Sequence, residues 1–173
     1  MDSTEIAFLS ATELGTAIRS KQISPVEAVE AYLERIQRID PKVNSYITVC
    51  ADQALADARQ AEAEIQRGEY RGPLHGIPIG IKDQIYTQGI RTTDASKIRA
   101  DFVPDYDATV VTNLKNAGAI LLGKLNLSEF AHGEPQSSAF GPARNPWDLT
   151  RSPGVSSTGS GAATAARLCA TSL

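Results

Sequence analysis

Two short apolar runs constrain this chain most. Residues 74–81 and residues 119–122 are nearly free of charge and show no polar alternation. That is the pattern of strands buried on both faces rather than of a half-exposed sheet. The first run leads directly into Lys82 and Asp83. Both runs are set among helical sequence. Ser10-Ala11-Thr12-Glu13 and Ser24-Pro25-Val26-Glu27 are capping boxes, in which hydroxyl and carboxylate satisfy each other's free N–H groups, and Pro25 stands at the first helical position. Leu14, Ala17 and Ile18 then line one face, and Val29, Leu33, Ile36 and Ile39 another, with Pro41 expected to end the second helix. Residues 44–49 suit a short strand. Residues 51–67 are alanine-rich and close on Gly68, which predicts a third helix.

Further along, Asp107 is placed to cap a helix running to Asn116 and closed by Gly118, and residues 126–129 open a short helix. Residues 131–161 are punctuated by glycine and proline and read as loop, followed by a small-residue helix over 162–169. A loop of that length inside a compact domain usually serves function. Helix, strand, helix, strand in turn predict an α/β fold. The expected organisation is a helical segment over residues 1–70 and an α/β core over residues 71–173.

Composition narrows the function. A net charge of −3 argues against nucleic acid as a direct partner, and no apolar run reaches the roughly 18 residues of a membrane span. Met1 to Ser10 lacks the basic and apolar pattern of a secretory signal. Cys50 and Cys169 suit free, buried or half-buried thiols, as in a reducing cytoplasm, and His75 and His132 share no ligand-like spacing, so neither metal nor cofactor is expected.

Three segments invite chemical readings. Residues 118–124 match most of a phosphate-binding loop, but Leu125 replaces the Mg²⁺-binding hydroxyl and the intervening residues are apolar, which favours a strand. Residues 152–161 place hydroxyls and small side chains before a helix, where free N–H groups can meet developing negative charge. The same composition suits a flexible linker. It does not suit a G-x-S-x-G elbow, because Thr158 stands in the place of the last glycine. Lys82, at the end of a buried strand, is either a partly desolvated base or a solvated lysine paired with Asp83.

Taken together, residues 72–83 and 152–161 resemble the lysine motif and the serine- and glycine-rich motif of the amidase signature family. Residues 104–111, 123–126 and 139–148 resemble its intervening segments, in the same order. The resemblance implies a mixed sheet flanked by helices after a helical N-terminal segment, and a Ser–cis-Ser–Lys triad that hydrolyses amides. Lys82 matches the general base and Ser156 the bridging serine, with Ser157 a weaker candidate for a supporting hydrogen bond. The nucleophilic serine of a Thr-Asp-Thr-Gly-Gly-Ser-like segment is expected beyond Leu173. Val155 and Thr158 depart from the family pattern, which leads to the expectation of a trans Val155–Ser156 bond and a mobile or displaced 152–161 loop. The implied substrate is a small-molecule amide. Two alternatives stand beside the self-sufficient amidase, itself open to homo-oligomer formation: the glutaminase subunit of a tRNA-dependent amidotransferase with its partner subunits, and an inactive amidase-derived fragment with a binding or scaffold role.

Overall fold

The computed structural model describes all 173 residues. Six α-helices and four strands follow in order: α1 (Ser3–Phe8), α2 (Ala11–Arg19), α3 (Pro25–Val43), β1 (Tyr46–Val49), α4 (Ala51–Gln66), β2 (Pro78–Lys82), α5 (Thr109–Asn116), β3 (Ile120–Leu125), α6 (Thr158–Ala165) and β4 (Thr171–Ser172). The sheet is mixed, in the order β1-β3-β2-β4, with β2 parallel to both β3 and β4, and β1 antiparallel to β3. Every residue of β3 is buried, as is β2 up to Ile81. The parallel pair is therefore covered on both faces, as its apolar sequence requires.

The capping boxes at Ser10 and Ser24 form as expected, and a third at Asp2 and Glu5 opens α1, which the sequence reading missed. One apolar core runs through α1–α4, the sheet and α6, with Leu14, Tyr32, Ile77, Leu122 and Leu168 among its buried members. Arg35 joins α3 to the end of α6. Its guanidinium donates to the carbonyls of Ala166 and Arg167, both at 3.0 Å, and so satisfies carbonyls that the helix leaves open. The edge strand β1 carries an irregularity between Tyr46 and Thr48, and Arg91 donates to the Ile47 carbonyl there at 3.0 Å.

Several boundaries differ from expectation, each for a physical reason. Pro41 does not end α3; the helix continues to Val43 and stops at Asn44, which is left-handed. A proline in the final turn removes a single donor, and the Asp40 carbonyl still accepts from the Asn44 N–H at 2.7 Å. Asp107 does not cap α5, whose N-cap is Ala108; its carboxylate accepts instead from the Gln88 N–H and the Lys115 ammonium. Residues 74–77 form a turn before β2, with Gly76 at φ +85°. Residues 129–131 make a 3-10 turn rather than a helix from Asn126. The last helix begins at Thr158, four residues earlier than expected, inside the serine- and glycine-rich stretch.

Two glycines set how closely the elements approach. A Cβ on Gly123 would collide with the Thr48 carbonyl of β1, and one on Gly159 with the backbone of Asn126 and Ser45. Gly123→Ala should therefore lower stability by about 1–3 kcal/mol, the usual penalty for overpacking. Gly161→Ala meets only the Pro153 carbonyl, at 3.3 Å, and should cost less. Urea unfolding of the two variants checks the order.

Candidate active site

Lys82 ends β2, where the strand leaves the sheet. Its backbone N–H donates to the Leu173 carbonyl at 2.8 Å, and the next N–H, of Asp83, donates to the Leu125 carbonyl at 2.9 Å. Strand ladders on both sides therefore fix the base of the side chain. The Lys82 Nζ reaches the Ser156 hydroxyl at 2.6 Å, across 74 residues of sequence. Both residues are half-buried, and burial holds the Lys82 ammonium below the ordinary lysine range. Asp83 does not pair with Lys82. Its side chain is fully buried, and one carboxylate oxygen accepts from the Thr93 N–H and hydroxyl.

Ser156 is held from both sides. Its carbonyl accepts from the Ser128 N–H at 3.2 Å. Two residues on, α6 begins against the end of β3, and the Gly159 N–H donates to the Asn126 carbonyl at 2.8 Å. Asn126 is itself a junction. Its side-chain amide donates to the carbonyls of Asn44 and Gly141, and its carbonyl oxygen accepts from the Leu127 N–H. From sequence, Asn126 stands only in a motif segment and at the expected start of a short helix, neither of which points to this junction. A buried amide that reaches three backbone groups has almost no freedom left to turn.

The Val155–Ser156 bond is trans, and Ser156 adopts a left-handed backbone conformation with φ +60°. Left-handed Ser156 turns its hydroxyl toward Lys82, while Val155 faces solvent. Ser157 does not join the pair. It is exposed, and its hydroxyl makes no hydrogen bond to Lys82 or Ser156. Ser160 and Ser172 are engaged elsewhere, with the Leu173 carbonyl and with Thr164. The hydroxyls of Ser128 and Thr158, in the segments flanking Ser156, are buried without a hydrogen-bond partner.

A cavity of about 570 Å³ lies elsewhere, lined by residues of α4 and the start of β3 together with His75 and Arg71. Neither Lys82 nor Ser156 reaches it. His75, its pKa lowered by burial, accepts from the Arg71 N–H through Nδ1 and stands 3.0 Å from Glu64 through Nε2. That cluster anchors α4 to the turn before β2. The Lys82–Ser156 contact, with a desolvated amine against a hydroxyl, is where proton transfer is possible.

Because burial disfavours the charged amine, Lys82 should titrate with a midpoint below the roughly 10.4 of an unperturbed lysine. A larger fraction is then neutral, and able to accept a proton, at any given pH. NMR titration of the reductively ¹³C-methylated chain, with Lys82→Arg to assign the signal, measures this. A midpoint at or above the ordinary value would contradict it.

Known proteins match this architecture and its order of segments. The amidase family profile matches residues 27–173. The A subunit of glutamyl-tRNA(Gln) amidotransferase from Moorella thermoacetica is 51% identical over 163 residues, which cover 94% of this chain and 34% of that protein. Its counterpart from Geobacter metallireducens is 52% identical over 170 residues, covering 98% and 35%. The chain thus spans about a third of the length of these curated relatives. Among solved structures, native peptide amidase from Stenotrophomonas maltophilia superposes with a TM-score of 0.89 at 37% identity, covering 94% of this chain and 35% of that one. Fatty acid amide hydrolase superposes with a TM-score of 0.92 at 27% identity, covering 98% and 30%. The profile match and the agreement in fold place this chain in the amidase signature family.

Proposed function

We propose that this chain supplies the base and the proton relay of a serine amide hydrolase. The observation that carries the reading is the 2.6 Å contact between the Lys82 amine and the Ser156 hydroxyl. A serine hydroxyl is a weak nucleophile until a base takes its proton. In this reading Lys82, neutral in part because it is desolvated, takes a proton from Ser156. Ser156 in turn takes one from the nucleophilic serine as that serine attacks the amide carbonyl. The tetrahedral oxyanion needs preorganised N–H donors, and the proton returns by the same path to the leaving amine.

Neither a Gly-Gly-Ser nucleophile nor its glycine-rich oxyanion backbone occurs near the site in these 173 residues. The whole protein's reaction is hydrolysis of a small carboxamide to acid and ammonia or amine. The relatives at about half identity favour glutamine as the amide, with ammonia passed on within an amidotransferase and partner subunits of that assembly. The solved amidases at lower identity support a self-sufficient hydrolase. Work in the cytoplasm fits either reading, and no helix is long and apolar enough to cross a membrane.

The 173-residue chain alone should release no ammonia from glutamine or simple amides. Joined to the remaining two thirds of the Geobacter metallireducens protein and purified with that enzyme's partner subunits, it should release ammonia from glutamine. Lys82→Ala or Ser156→Ala should then lower the rate by about 10²–10⁴, the usual weight of a positioned acid–base group. Activity of the bare chain, or a folded chimera indifferent to both substitutions, would rule the assignment out. Preference for simple amides over glutamine would favour the self-sufficient amidase.

A further inference from the structure

Lys124 and Asp83 are both fully buried. Lys124 lies opposite Ile81 in the sheet, and Asp83 lies two residues beyond Ile81, so both side chains leave by the same face. Lys82, between them in the alternation, leaves by the other. The Lys124 ammonium has three N–H groups and three acceptors: the Ile85 carbonyl at 2.6 Å, the Thr92 hydroxyl at 2.7 Å and the Thr87 hydroxyl at 3.2 Å. One Asp83 oxygen is bound by Thr93; the other has no hydrogen-bond partner and faces the Lys124 charge at 4.0 Å. Burial pulls the Lys124 ammonium down to about 8, with Asp83 opposing. A neutral amine has only two N–H groups and would leave one of the three acceptors unmet.

From this buried pair a chain of backbone contacts leads to Ser156. The Asp83 carbonyl accepts from the Asp94 N–H at 3.3 Å, and the Asp94 carbonyl accepts from the Phe130 N–H at 2.9 Å. The Ala131 N–H donates to the Ser128 carbonyl at 2.8 Å, and the Ser128 N–H reaches the Ser156 carbonyl. Asp94, Ala95, Phe130, Ala131 and Ser156 all have φ between +52° and +60° without being glycine. Left-handed residues of this kind persist only where their surroundings over-determine them. Here they supply one another's surroundings, and the turn held by Lys124 is where the series starts.

We propose that Lys124 is a positioning residue for the Lys82–Ser156 pair. From the opposite face of the sheet it holds the turn over residues 83–94. That turn fixes the strand end carrying Lys82 and, through Asp94, Phe130 and Ser128, the loop carrying Ser156. The inference rests on reading Lys82 and Ser156 as a working pair, and its test separates the two ideas. The Lys82 titration is followed by NMR in the methylated 173-residue chain with and without Ser156→Ala, each in the parent and in the Lys124→Met background. Circular dichroism reports whether each variant is folded. In the parent, Ser156→Ala should move the Lys82 midpoint; with Lys124→Met the same substitution should no longer move it. An equal shift in both backgrounds overturns the positioning role and leaves the pair intact. No shift in the parent removes the pair itself, and the inference with it. If Lys124→Met does not fold, Thr92→Val removes one acceptor of the ammonium and takes its place. Loss of most of the Ser156 effect then supports the proposal, and an undiminished effect overturns it.

Discussion

The parallel pairing of β2 with β3 is the constraint on which the rest depends. A parallel pair must be buried on both faces, so both strands are apolar except for Lys82 and Lys124 near their ends, and the chain packs against each side. Polar chemistry is then displaced to where the strands stop. Lys82 emerges at the end of β2, and Asn126 directly follows β3. The serine-bearing segment reaches Lys82 because α6 packs against the sheet through a glycine, at a spacing that no larger residue permits. The contact between amine and hydroxyl is thus set by strand length and by one missing side chain, not by the loop residues alone.

Backbone groups freed at the strand ends are met by side chains from distant parts of the sequence. Asp40, near the end of α3, accepts from the N–H groups of Ser45 and Tyr46, which turns the chain from helix into β1. Left-handed Asn44 donates to the carbonyls of Phe140, Gly141 and Pro142. Burying that many backbone groups without partners would cost about 1–3 kcal/mol each. In the irregular stretch before α6 the amides of Asn44 and Asn126 offset that cost, and at the link from α3 to β1 the Asp40 carboxylate does.

What could be read from the sequence was what local chemistry decides. Ser10 and Ser24 announced their helices because a capping box is complete within four residues. Gly68 did the same at a helix end, and the two apolar runs revealed the buried strands. Lys82 and Ser156 came from motif resemblance. They lie 74 residues apart, and periodicity carries no information at that range. The start of α6 was not legible because a Gly159 contact to Asn126 sets it, where serine and glycine by themselves suggest a linker. Asp107 looked like a cap and was recruited by Gln88 and Lys115 instead. Lys124 was hardest. A lysine is expected in water, and the oxygens that let it stay inside belong to residues 32 to 39 positions away.

Arg91 has a meaning beyond its own contacts. An unpaired strand at the border of a sheet is a template on which another chain can add, and long flat ones seed fibrils. β1 is only four residues long, is kinked where its register slips, and has a guanidinium seated on the Ile47 carbonyl at that kink. Arg91 also donates to the Thr48 hydroxyl, so a positive charge sits on the carbonyl that an incoming strand would need bare. The side chain that closes this corner of the fold therefore also keeps separate molecules from zipping together along it.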